Sequence, residues 1–180
     1  IMKTSNDVTH YGISAKLTCT WVNREIQIIG TNASGVVDGT MVEINGDGLN
    51  SSTPMMEVSV STLDHSHFAN LYFNACDVAQ HCVEATAANN HPMVFLNCRF
   101  SEATDHGVFT NSNANYWSFV NCRFDNNGNN GAHLGSSNYN LWYKCLFDNN
   151  VEEGALVNQF AHIVECVFYN NGDHGLSMVS

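Results

Sequence analysis

Apolar and polar residues alternate in short bursts through the second half of this chain, and runs of Asn, Asp and Gly separate the bursts. "GVFT", "GAHL", "GALV" and "GLSM" alternate with a period of two, as do "CRF" and its counterparts "CLF" and "CVF". That period sends successive side chains to opposite faces of a strand. No useful length holds the spacing of an amphipathic helix, and no Leu-rich consensus recurs, so helical and leucine-rich solenoids are disfavoured. The pattern predicts an all-β chain of short strands, with no helix longer than about two turns.

The bursts belong to a repeat. An aromatic or branched residue, any residue, a polar residue, Cys, any residue and Phe follow in that order as "FLNCRF" from Phe95, "FVNCRF" from Phe119, "WYKCLF" from Trp142 and "IVECVF" from Ile163. "FANLYF" from Phe68 fits with Leu71 in the Cys slot. The steps between copies are 27, 24, 23 and 21 residues, and a Gly stands nine residues after each Cys, at Gly107, Gly131, Gly154 and Gly175. Units of this length, holding three short strands, suit a coil whose turns stack. Each strand then pairs in parallel with its counterpart about 4.8 Å away.

Stacking turns like positions into columns. Leu71, Cys98, Cys122, Cys145 and Cys166 form one interior column, and Phe73, Phe100, Phe124, Phe147 and Phe168 form another. Phe68, Phe95, Phe119, Trp142 and Ile163 make a third. The neighbouring apolar column of Leu96, Val120, Tyr143 and Val164 competes for the interior, and Ala69 in the first copy favours placing it outside. Asn97, Asn121, Lys144 and Glu165 then fall at a turn, where Asn tolerates left-handed backbone. The Asn pairs at 126–127, 149–150 and 170–171 fall at the next corner, where stacked amides can bond to one another and to the backbone.

On the C-x-F-x-N-N…G repeats, and on "REIQIIGTNASGVVDGTMVEINGDG" nearer the start, the chain resembles the right-handed parallel β-helix family. This is the pectate-lyase-like superfamily, which includes phage tailspikes. The resemblance implies a solenoid of about six to seven coils in a single domain, residues 1–180, with a lead-in over 1–25 and repeating coils over 26–180. It speaks to architecture and says almost nothing about chemistry.

Acidic residues outnumber basic ones 17 to 6, for a net charge of −11. That argues against nucleic acid or an anionic membrane surface as partner, since both need clustered Lys and Arg. The first residues lack the layout of a signal peptide, and no apolar run is long enough to insert into a membrane. The seven cysteines have no zinc-type spacing. In a parallel ladder neighbouring Cβ atoms lie about 4.8 Å or more apart, beyond the reach of about 3.5–4.5 Å that a disulfide wants. The column thiols are therefore expected to be reduced, which suits assembly in a reducing cytoplasm.

Candidate chemistry collects just before each repeated Gly, as Asp105-His106, Asn129-Asn130, Glu152-Glu153 and Asp173-His174. Stacking sets Glu152 and Glu153 against Asp173 and His174, an arrangement of carboxylates of the kind glycoside hydrolysis uses. "DHGLSMVS" from Asp173 is also similar to the G-H-G-[LI]-S stretch of polygalacturonases, which implies a catalytic role for Glu152, Glu153, Asp173 and His174. The family's N-T-D motif has no counterpart: Asn129 and Asn130 stand near its place. Arg99 and Arg123 share a column and are candidates for an anionic ligand, with Glu102 and Asp125 as competing partners. Tyr116, Trp117 and Tyr139 precede the second strand and are candidates for sugar stacking or a subunit contact. His65 and His67 alternate in "DHSHF" without a third ligand at motif spacing, so no metal site is assigned. The Asn-x-Ser sequons at Asn32 and Asn50 are at the level of chance.

Two functional classes follow. The first is a surface module of a virus or phage particle, of tailspike or capsid-decoration type, which binds glycans or serves structural display as a homotrimer on the virion. The second is a secreted, extracellular polysaccharide hydrolase or lyase. No cofactor is expected in either, apart from calcium if the chain is a lyase.

Overall fold

The computed structural model describes residues 2–3, 10–19, 25–32, 34–59, 64–88, 92–111, 113–135, 137–158 and 160–179. Three strands per turn follow one another along the chain. The first turn carries β1 (Met2–Lys3), β2 (His10–Gly12) and β3 (Leu17–Cys19). The second carries β4 (Glu25–Thr31), β5 (Val42–Asn45) and β6 (Met56–Val58), and the third β7 (Asp64–Ala69), β8 (Leu71–Asn74) and β9 (Val83–Ala85). Then come β10 (Met93–Leu96), β11 (Arg99–Ser101) and β12 (Val108–Thr110), followed by β13 (Trp117–Val120), β14 (Arg123–Asp125) and β15 (Ala132–Leu134). The last two turns hold β16 (Leu141–Tyr143), β17 (Leu146–Asp148), β18 (Ala155–Asn158), β19 (His162–Val164), β20 (Val167–Tyr169) and β21 (Leu176–Val179).

Each strand pairs only with its counterparts one turn away, which yields three parallel sheets of seven strands. The five turns from β7 onward carry the repeat, and the two before it are looser. There β4 meets β7 with a register shift between Glu25 and Gln27. No helix occurs among the described residues.

The columns read from the repeat are the columns of the solenoid. Phe95 pairs with Phe68 and Phe119, Phe119 with Trp142, and Trp142 with Ile163. Phe100 pairs with Phe73 and Phe124, Phe124 with Phe147, and Phe147 with Phe168. Along the second column the rings stack at 5.4, 4.9, 4.7 and 4.8 Å between centroids. These separations follow the strand spacing, so in-register pairing delivers ring stacking without further adjustment. The two aromatic columns meet edge-on, as at Phe119 and Phe124, 5.5 Å apart at 73°. Leu96 and Val164 are exposed, so the competing apolar column faces outward.

Corners are set by left-handed residues. Asn70, Asn97, Asn121, Lys144 and Glu165 all have φ between 51° and 56°, one per turn at the first corner. The asparagines also bond along the axis: Asn121 Nδ2 donates to Asn97 Oδ1 at 3.1 Å, and Asn97 Nδ2 to Asn70 Oδ1 at 2.9 Å. At the second corner Asn126, Asn149 and Asn170 are left-handed. The Asn following each turns inward, and the amides of Asn127, Asn150 and Asn171 form a ladder at 2.8 and 2.9 Å. These amides also bond backbone carbonyls, which leaves no buried amide unpaired along that corner.

Candidate functional site

The corner leading into the third sheet (β3 through β21) brings successive turns into close backbone contact. A Cβ added to Gly131 would lie 2.6 Å from the carbonyl oxygen of Gly154. That close approach is why the repeat keeps glycine there. The two residues before the glycine are therefore stacked turn upon turn. Gln80, Asp105, Asn129, Glu152 and Asp173 form one ladder through backbone bonds of 2.8–3.2 Å. Beside it run His81, His106, Asn130, Glu153 and His174.

In the last two turns this corner is open to water. Glu153, Asp173 and His174 each offer a ligand atom, and the three atoms lie within 4.8 Å of one another. His174 Nδ1 is 3.0 Å from Asp173 Oδ1, with side-chain exposures of 67% and 60%. The Ser177 hydroxyl donates to Glu153 Oε1 at 3.4 Å, and Glu152 is exposed and stands outside the cluster. Two carboxylates and an imidazole this close could share a proton or hold a divalent cation. No described side chain closes over them.

Three turns earlier the same corner is closed. His81 and His106 are buried, with their rings stacked 5.5 Å apart. Phe109 covers both, at 4.7 and 5.1 Å. The His106 N–H donates to His81 Nδ1 and the Asn130 N–H to His106 Nδ1, each at 3.2 Å. Burial pushes both imidazoles down to about 4, against the opposing pull of Asp105. His81 escapes sequence inspection because Cys82 replaces the repeated glycine in its turn. The available signal was "QH" standing 25 residues ahead of "DH".

Over residues 57–180 the sequence matches the family described as the right handed beta helix region. The chain belongs to that family. Comparison with curated proteins and with solved structures finds no match. For a β-helix, membership fixes the coil and leaves the chemistry to the side chains it displays.

The remaining candidates divide sharply. Arg99 donates to both carboxylate oxygens of Asp125 at 2.8 and 2.5 Å, and Arg123 to both of Asp148 at 2.9 and 2.7 Å. These bonds raise both guanidinium groups above their ordinary value. Each Arg thus clasps the Asp of the following turn, which commits its Nε and one Nη, and Arg99 also lies over the Tyr72 ring at 4.5 Å. Trp117 is fully buried and belongs to the interior face of β13, so it is a core residue and offers no surface to a sugar. Tyr116 and Tyr139 are exposed, and both are left-handed, with φ of 64° and 58°. They stack on each other at 5.4 Å, and Tyr139 stacks on Phe160 at 5.4 Å. Stacking covers the faces between neighbouring rings, and all three residues stay about half exposed. His65 and His67 are exposed on the outer face of β7.

The six cysteines with described side chains are all free. Cys98, Cys122 and Cys145 are buried, and their thiols donate to backbone carbonyls. The Cys145 thiol is pushed up to about 12, chiefly by its contact with Cys122, and burial raises Cys122. Such thiols are inert packing groups.

Proposed function

We propose that this β-helix is a rigid display module on the surface of a virus or phage particle, of tailspike or capsid-decoration type. The observation that carries the reading is how the rod uses its polar groups. Arg99, Arg123, Asp125, Asp148, Asn127, Asn150, His81 and His106 all bond along the axis. Such a chain spends its polar side chains on stiffness. Free, buried thiols support assembly in a reducing compartment before release.

A homotrimer is the assembly we propose. Supporting it is the outer face of the first sheet across β10, β13, β16 and β19, where Val94, Leu96, Val120, Leu141, Tyr143 and Val164 stand with no carboxylate between them. On a chain of net charge −11 that strip can meet its own copy without repulsion. Glycan contact is the accompanying role, through the Tyr116 and Tyr139 hydroxyls and the Phe160 edge.

One observation favours a second reading, a secreted polysaccharide hydrolase: the convergence of Glu153, Asp173 and His174 within 4.8 Å. A single assay separates the two. The purified chain is incubated with neutral and uronic polysaccharides, and new chain ends are followed. The display reading expects no turnover, with a trimeric mass in sedimentation. Turnover that vanishes in Glu153→Gln and His174→Ala, with folding intact, would establish the hydrolase instead.

A further inference from the structure

We infer that His81 and His106 form an acid-labile clasp that holds the third, fourth and fifth turns of the rod together at neutral pH and releases them in acid. The inference rests on the hydrogen bonds and does not depend on the virion assignment. His106 N–H donates to His81 Nδ1 and Asn130 N–H to His106 Nδ1, at 3.2 Å each. An imidazole can accept at Nδ1 only while that nitrogen carries no proton, so both rings are neutral with the proton on Nε2. Asp105 faces that side: His106 Nε2 lies 3.3 Å from Oδ1, and His81 Nε2 lies 3.9 Å from Oδ2. A second proton would set an N–H at Nδ1 against the backbone N–H of the next turn. The bond must break for the ring to charge.

The next turn up supplies the comparison. There Asn130 Oδ1 accepts the Glu153 N–H at 3.2 Å, the same bond made by a group that does not titrate. Three successive turns thus place a side-chain acceptor at this position, and two of them use one that acid removes.

The surroundings favour the neutral rings. Phe109 on β12 covers both. His133 on β15 lies edge-on to His106 at 4.9 Å, and burial lowers it too. The Cys82 thiol turns away to the Phe73 and Ser101 carbonyls. Opposing charge comes from Asp105, whose oxygen is also held by Asn129 Nδ2 at 2.5 Å; the carboxyl of Glu84 on β9 is raised chiefly by burial, with Asp105 among the lesser causes. Glu152 and Glu153 bear on His133. Burial outweighs these carboxylates, and the two clasp imidazoles sit at about 4 against an ordinary 6.5. A lowered pKa in the folded chain means that the unfolded chain binds more protons below 6.5. Stability from the clasp is complete above pH 6.5 and is lost as pH falls toward 4, by up to about a hundredfold per pH unit in the unfolding equilibrium for two protons.

The test compares the chain with His81→Asn/His106→Asn, which keeps an acceptor in both places. Denaturant unfolding is measured from neutral pH down to 4. The unaltered chain should lose stability across this window more steeply than the double variant, whose remaining slope reports the other titrating groups, His133 and the carboxylates among them. Amide exchange adds a local readout. On acidification the His106 and Asn130 amides should speed up relative to the Glu153 amide, which is bonded to Asn130. Should the double variant not fold, nitrogen chemical shifts of the unaltered chain decide alone: both rings must be the Nε2–H tautomer and titrate well below 6.5. Parallel pH profiles, or rings that titrate at the ordinary value, would overturn the clasp.

Discussion

The tripeptide Asp-His-Gly occurs twice at the same corner of the coil, and the two copies live in opposite environments. Asp105-His106-Gly107 lies in the middle of the rod, with His106 7% exposed and its Nδ1 accepting from the next turn. Asp173-His174-Gly175 lies in the last turn, with the His174 side chain 67% exposed and its Nδ1 beside its own neighbour Asp173. One column over, the third sheet holds Phe109 beside the first copy and Ser177 beside the second, in register through His133 and Leu156. A ring covers one imidazole and a hydroxyl leaves the other in water. Identical local sequence therefore yields a buried structural acceptor in one place and an exposed polar cluster in the other, and the stacked neighbours decide which.

The comparison predicts unequal costs for equal substitutions. The largest concern the Phe column. Phe124 is fully buried and stacked on both sides, whereas Phe168 in the last turn is only half-buried. Phe124→Ala should cost about 3–5 kcal/mol and Phe168→Ala about half of that, by denaturant unfolding at neutral pH. Equal losses would mean that the last turn is packed as tightly as the middle.

Next come the two histidines. His106→Ala strands the buried Asn130 N–H and opens a space beneath Phe109, so about 2–3 kcal/mol should go. His174→Ala removes an exposed ring and should stay within about 0.5 kcal/mol. The glycines that follow behave alike but more mildly. Alanine at Gly131 meets the Gly154 carbonyl at 2.6 Å, a backbone atom that cannot yield. At Gly175 the nearest atom is Phe168 Cβ at 2.8 Å, in the more exposed last turn, where the strand itself has room to yield. We expect about 1–3 kcal/mol for Gly131→Ala and clearly less for Gly175→Ala.

How much of this was legible beforehand follows from what a period can carry. The aromatic and cysteine columns, and both asparagine corners, repeat at fixed offsets, so position alone placed them. The choice between Leu96 and Phe95 for the interior hung on Ala69, and the exposure of Leu96 agrees. What repetition does not carry is pairing across turns. Arg99 and Arg123 stood out as a charged column, but their grip on Asp125 and Asp148 depends on each side chain reaching one turn up. Trp117 was placed with Tyr116 at a corner because the boundary of β13 is invisible in sequence. The left-handed tyrosines were equally hidden, since Tyr carries no preference for that backbone.

The smallest expected effect lies at the exposed cluster, and it separates a structural corner from a catalytic one. Glu153 and Asp173 bring two carboxylate oxygens within 4.8 Å of each other, beside an imidazole. Were this corner built like the buried one, Glu153→Gln would remove a needed partner and destabilise the rod. Its backbone N–H is already satisfied by Asn130 Oδ1, and its side chain accepts a long hydrogen bond from the Ser177 hydroxyl at 3.4 Å. The substitution should therefore be neutral or stabilising by a few tenths of a kcal/mol, about what relief of an exposed like-charge contact is worth. The gain should shrink in high salt, because water and ions already screen the pair. Unfolding curves of both chains at low and high ionic strength provide the measurement. A loss of 1 kcal/mol or more, unaffected by salt, would show that Glu153 is held as His106 is, and the contrast between the two corners would fail.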